Sequence, residues 1–145
     1  MCTDWSMASA LLHRGIMKIA IGGDHGAIAL REDMVAHLKE LGYEVKDFGT
    51  FSTASCDYPD FATYVGRSVA AGECDRGIVL CTTGIGVSIT ANKIAGVQCA
   101  LLADVVSARL VRDNPDINVI AFGAAVVGKG HALEILDTWL GKTNL

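Results

Sequence analysis

Five short apolar runs, each stopped by glycine or a polar turn and each followed by a stretch with helical spacing, constrain this chain most. The first run is KIAIG at 18–22, after which Leu30, Met34, Leu38 and Leu41 recur at steps of three or four before Gly42. A second strand is predicted over 43–48, then a loop over 49–59 (GTFSTASCDYP), rich in Ser and Thr. Phe61, Tyr64, Val65 and Val69 mark the next helix, closed by Gly72. GIVLC at 77–81 is the third strand, TTGIG follows at 82–86, and a helix continues to about residue 93. Strands four and five are predicted at 98–102 and 118–122, with a helix over 104–112 between them; the last helix carries Leu133, Leu136, Trp139 and Leu140. Strands that are apolar throughout, rather than alternating, are covered on both faces. The pattern therefore predicts an α/β fold: one doubly wound, Rossmann-like or flavodoxin-like parallel sheet of five strands with helices on both sides. Such sheets bind ligands beyond the carboxyl ends of their strands, which makes 23–26, 49–59, 81–86, 103–104 and 123–128 the candidate segments.

With 145 residues, 51% hydrophobic and 19% charged, the chain can bury enough apolar surface to order itself as one domain, assigned to 17–145. Residues 1–16 lack a basic segment ahead of their apolar stretch and are read as a disordered N-terminal extension. No apolar run approaches the roughly 18 residues that cross a bilayer, so no membrane association is expected. A net charge of -4 without a Lys/Arg cluster argues against nucleic acid. The five cysteines form no CxxC pair, which argues against zinc and against a disulfide framework and points to the reducing cytoplasm. Glycine is abundant, 16 against 2 prolines, and residues 22, 23, 26, 49, 84, 86 and 123 fall at predicted strand carboxyl ends, where backbone can approach an anion closely.

The stretch LCTTGIGVS at 80–88 carries the most chemistry. A cysteine at the end of a buried strand meets a glycine-rich turn whose amides, with the helix N-terminus after it, form an anion site. A base beside an anion hole suits proton abstraction next to a carbonyl. The alternative, a buried structural cysteine beside a packing turn, stays open on spacing alone. Ile89 stands where a dinucleotide fingerprint needs its third glycine, and neither a Walker A sequence nor a G-x-S-x-G elbow occurs. Asp24 and His25 follow the first strand, so the imidazole can meet a phosphate or hydroxyl while the carboxylate accepts from sugar hydroxyls. Asp24 acting only as a helix cap is the competing reading. Tyr58, in DYPD, either brings a phenol to the site mouth or ends a loop.

KIAIGGDHGA, LKELGYEVKDFGT, DYPDFA, GIVLCTTGIGVSITANKIAGV, SAR, NVIAFG and ILDTWLG, in that order across 17–141, resemble the ribose-5-phosphate isomerase B family, which includes the galactose-6-phosphate isomerase subunits. The resemblance implies an aldose–ketose isomerase, most directly ribose 5-phosphate to ribulose 5-phosphate, acting through an enediolate without metal or cofactor. It also implies a homo-oligomer, dimer or tetramer, with its site between subunits. By the same resemblance Cys81 is the base moving a proton between C2 and C1, with Thr83 beside it. Gly84, Ile85, Gly86 and Val87 supply the anion hole, and Asp24, His25, Tyr58 and Arg112 contact substrate. Thr82 replaces a usual glycine.

Other positions depart from the family pattern. Asn114 stands where the family has the histidine associated with ring opening, and an amide cannot exchange a proton near neutral pH. Pro115 replaces an asparagine, Gly123-Ala124-Ala125 lacks a frequent arginine, and no arginine-rich tail occurs before Leu145. The cations left for a phosphate are His25, Arg109, Arg112 and Lys129, of which His25 and Arg112 match family positions. These departures keep a second expectation in play: a subunit of a hetero-oligomeric isomerase, or a non-catalytic sugar-phosphate binder. A flavodoxin-like phosphate or nucleotide module is a more distant third.

Overall fold

The structure, a computed structural model, describes residues 16–49 and 58–141. Within them the apolar runs become strands β1 (Lys18–Gly23), β2 (Glu44–Asp47), β3 (Arg76–Cys81), β4 (Cys99–Leu101) and β5 (Val119–Gly123). The amphipathic stretches become helices α1 (Ile28–Glu40), α2 (Tyr58–Ala70), α3 (Ile85–Asn92), α4 (Val105–Arg112) and α5 (Lys129–Leu140), and a single 3-10 turn, His25–Ala27, leads into α1. The predicted loop over 49–59 is too long at its far end. Tyr58 opens α2 and Pro59 lies in its first turn, where a missing N–H removes no intrahelical bond. Positions 50–57 of that loop, and 1–15 of the predicted extension, lie outside the described residues.

All strand pairs are parallel, in the order β2-β1-β3-β5-β4. The doubly wound sheet is thus as expected, while its last two strands are exchanged relative to the flavodoxin-like order. Going from β1 to β2 and from β4 to β5, the chain crosses the sheet one way; from β2 to β3 and from β3 to β4 it crosses the other way. Right-handed crossovers then place α1 and α4 on one face and α2 and α3 on the other. The two cores agree. Ile19, Ile21, Ile78, Leu80, Ile120 and Phe122 pack with Met34, Leu38, Leu136 and Trp139 on the first face. Ala20, Val79, Cys81, Val119 and Ala121 pack with Val65, Val87 and Ala91 on the second. Among the described residues no helix is long and apolar enough to span a membrane.

This winding positions the site. The connection leaving β1 turns toward one face and the connection leaving neighbouring β3 toward the other, so a crevice opens between their carboxyl ends.

Candidate functional site

Cys81 ends β3 in the middle of the sheet, 6% exposed, facing the α2/α3 core. Its Sγ accepts a hydrogen bond from the Gly84 amide at 3.0 Å. Gly84 has φ +81°, a left-handed conformation that turns the chain from strand into α3, and a β carbon there would stand 2.5 Å from Leu101 Cδ1 and 2.9 Å from Gly123 N. The turn is clamped from the β5 side: Ala124 N donates to Cys81 O at 2.8 Å and Ala125 N to Thr82 O at 3.0 Å. Gly123 is packed so tightly beneath it that a β carbon would come within 2.4 Å of Thr83 O. The loop carrying Cys81 is therefore fixed before any ligand arrives.

Two donors of the turn are committed inside the protein. Gly84 N serves the sulfur, and Ile85 N donates to Thr83 Oγ1 at 3.2 Å. Thr83 is exposed, and because its oxygen accepts from Ile85 its own proton remains available to a ligand. The amides of Gly86 and Val87 belong to the first turn of α3, where helix geometry supplies no intrahelical acceptor. Without an acceptor in the helix they are the candidate donors for an anion, Gly86 half-buried and Val87 buried.

Asp24 follows β1, and its amide donates to Leu80 O at 3.2 Å, tying the β1 connection to β3. Its buried carboxylate accepts from Gly26 N at 2.9 Å through Oδ1 and so caps the 3-10 turn. The capping reading is realised. His25 is exposed beside it. Tyr58 begins α2 at the same sheet edge, and its side chain lies outside the described residues.

Arg112 is not brought to Cys81 within one chain. The eight-residue helix α4 runs back from the carboxyl edge and ends at Arg112, about 12 Å along the axis at 1.5 Å per residue. Beyond it, Asn114 Oδ1 accepts from Asp116 N at 3.1 Å, a local turn at the opposite sheet edge. Asp104 heads α4 instead: its carboxylate accepts from Ser107 N at 2.6 Å and from Ser107 Oγ at 3.0 Å. Those bonds hold Asp104 below the usual carboxylate range, aided by His131. A groove of about 410 Å³ on the outer flank of α1 is lined by the Arg31–Asp47 ion pair and faces away from Cys81.

Residue pattern alone does not disclose one arrangement. Thr82, the exposed residue after Cys81, leans across the crevice against Gly26.

Comparison with known proteins agrees with this fold. The family model described as Ribose/Galactose Isomerase matches residues 19–144. Ribose-5-phosphate isomerase B of Escherichia coli K12 is 49% identical over 124 residues, covering 86% of this chain and 83% of that protein. Galactose-6-phosphate isomerase subunit LacB of Clostridium acetobutylicum is 39% identical, covering 86% of this chain and 72% of that protein. The solved ribose-5-phosphate isomerase B of Clostridium thermocellum superposes with a TM-score of 0.84 at 48% identity over 88% of each chain.

Proposed function

Since this chain belongs to the ribose/galactose isomerase family and is an aldose–ketose isomerase of sugar phosphates, we propose that it converts ribose 5-phosphate to ribulose 5-phosphate with Cys81 as the base. The observation that carries this reading is the Cys81 sulfur held at 3.0 Å from Gly84 N in a pre-clamped turn, beside the first-turn amides of α3. In the open-chain aldose, Cys81 Sγ takes the proton from C2. The C2–H electron pair forms the C1–C2 double bond, and charge moves onto O1. The amides of Gly86 and Val87 donate to that oxygen, stabilising charge where it develops. Return of the proton from sulfur to C1 gives the ketose, while the O2 proton passes to O1. Thr83, whose O–H is uncommitted among the described residues, assists that transfer. Asp24 accepts from substrate hydroxyls and His25 faces the phosphate, and Tyr58 is proposed as a further substrate contact.

The same reading includes a homo-oligomer. Ile85, Ile89, Leu101, Val106 and Leu110 are large apolar side chains left 44–69% exposed around the free edge of β4. Their exposure at one edge of the sheet suits a second copy of the chain, which is also the route by which Arg112 can serve a site its own chain keeps it from. Free Cys74, Cys81 and Cys99 among the described residues suit a reducing compartment, the cytoplasm.

A second reading, a subunit completed by a different chain, rests on Asn114, whose amide is engaged in its own turn. Full activity of the purified homo-oligomer ends that alternative. The main reading is tested by assaying ribose 5-phosphate, allose 6-phosphate and galactose 6-phosphate side by side with Cys81→Ala as control. Ribose 5-phosphate is expected to react fastest and Cys81→Ala to lose activity. No turnover of any of them, with Cys81→Ala indistinguishable from wild type, removes the proposal.

A further inference from the structure

Thr82 stands where the connections leaving β1 and β3 part, and it serves no visible purpose in the fold. Its side chain is exposed, and its hydroxyl has no hydrogen-bond partner among the described residues. Its position is nevertheless fixed, because Thr82 O accepts from Ala125 N at 3.0 Å while Cys81 before it is held by Ala124. The hydroxyl end of Thr82 lies against Gly26: a β carbon on Gly26 would be 2.5 Å from Thr82 Oγ1 and 3.3 Å from Asp24 Oδ1. Thr82 thus reaches from the β3 connection across to the β1 connection and fills the space that glycine leaves open. Strand alternation sends the Cys81 thiol toward the α2/α3 face and Thr82 the other way, toward the turn His25–Ala27.

A sugar phosphate whose reacting carbons lie at Cys81 and whose phosphate lies toward His25 has to pass over this side chain. We infer that Thr82 is a specificity-determining residue: it forms the floor of the crevice between Cys81 and the Asp24–Gly26 turn and limits the length of aldose phosphate that fits. This rests on the sugar-phosphate reading above. The limit is set by volume, since no partner among the described residues orients the hydroxyl and a bulkier residue at position 26 is excluded by the same contact.

The test compares kcat/KM for ribose 5-phosphate and allose 6-phosphate in the wild-type full chain and in Thr82→Gly, Thr82→Ala and Thr82→Val. One added carbon unit is discriminated by roughly tenfold or more in a shaped pocket. Thr82→Gly and Thr82→Ala are therefore expected to shift the ratio toward the hexose phosphate by about tenfold. Thr82→Val, which keeps the shape and removes the hydroxyl, is expected to keep the wild-type ratio. Gly26→Ala, which presses on Oγ1, is expected to cost more in the wild-type background than in Thr82→Ala. An unchanged ratio in Thr82→Gly and Thr82→Ala, with thermal midpoints like wild type, overturns the inference. So does a Thr82→Val shift as large as that of Thr82→Ala, because it assigns the discrimination to hydrogen bonding. If wild type turns over neither sugar, the substrate reading fails instead. Calorimetric Kd values for the same two phosphates on the same proteins then decide the role of Thr82, with the same shift expected and its absence contradicting it.

Discussion

The two ends of one sheet use their polar side chains differently. At the amino end, apart from the local Asn114 turn, three contacts are long in sequence. Asp75 Oδ2 accepts from Lys18 N at 2.8 Å, the Arg76 guanidinium lies 5.0 Å above the Trp139 ring, and His37 Nε2 meets Asp137 Oδ1 at 2.6 Å, joining residues 100 apart. Around the crevice at the carboxyl end the side-chain bonds span two or three residues: Asp24 to Gly26, Gly84 to Cys81, Ile85 to Thr83, Ser107 to Asp104; only away from it, at the flank of α1, do the Arg31–Asp47 and Lys129–Asp33 pairs join separate elements. The amino end cross-links elements. Around the crevice the carboxyl end shapes its own loops and leaves Thr82, Thr83 and His25 exposed. With Cys81 as the proposed base, stability and chemistry fall mainly to different ends, and a substitution at one end should disturb one property and spare the other.

The largest separation is expected at Cys81. Cys81→Ser keeps the shape and should lower kcat by about a thousandfold, the order of a lost general base, while the thermal midpoint stays close to wild type. A wild-type rate in steady-state assays would break the comparison at its centre. Trp139→Ala removes a side chain 2% exposed in the α5 core and should cost about 3 kcal/mol in urea unfolding, with kcat of the folded protein preserved. Asp75→Ala leaves Lys18 N–H without its carboxylate and should cost about 2 kcal/mol, again with little effect on kcat.

Cys99 sharpens the contrast through pH. Burial pushes its thiol from 9.0 up to about 12. Because the folded value is raised, the folded protein holds a proton that the unfolded chain releases above pH 9. This contribution to stability is complete below that point and lost as pH rises toward 12. In alkaline urea titrations Cys99→Val should flatten the decline. His37→Gln, at a partly exposed pair, should cost less than about 1 kcal/mol.

Much of this division was legible in the sequence because it rests on local pattern. Unbroken apolar runs disclosed a sheet buried on both faces, and Cys81 ahead of Thr82-Thr83-Gly84 marked a strand end meeting a helix start. Strand order was not legible: β4 and β5 are similarly apolar, and connection length does not say which lies next to β3. Pro59 was a readable sign that α2 starts earlier than the loop composition suggested. The long-range pairs of the amino end, such as His37 with Asp137, depend on the final packing of α1 against α5 and leave no local trace. Arg112 shows the same limit in reverse, since its motif position was clear while its distance from Cys81 appears only when α4 is laid along the sheet.

The chemistry proposed for the carboxyl end depends on Cys81 carrying the proton between C2 and C1. The most direct measurement follows exchange at these carbons by NMR during turnover of ribose 5-phosphate in deuterium oxide, for wild type and Cys81→Ser at equal concentration. A shared base that equilibrates with solvent predicts deuterium at C1 of ribulose 5-phosphate and at C2 of the recovered aldose with wild type, and both signals nearly abolished in Cys81→Ser. Undiminished exchange in Cys81→Ser would contradict the account.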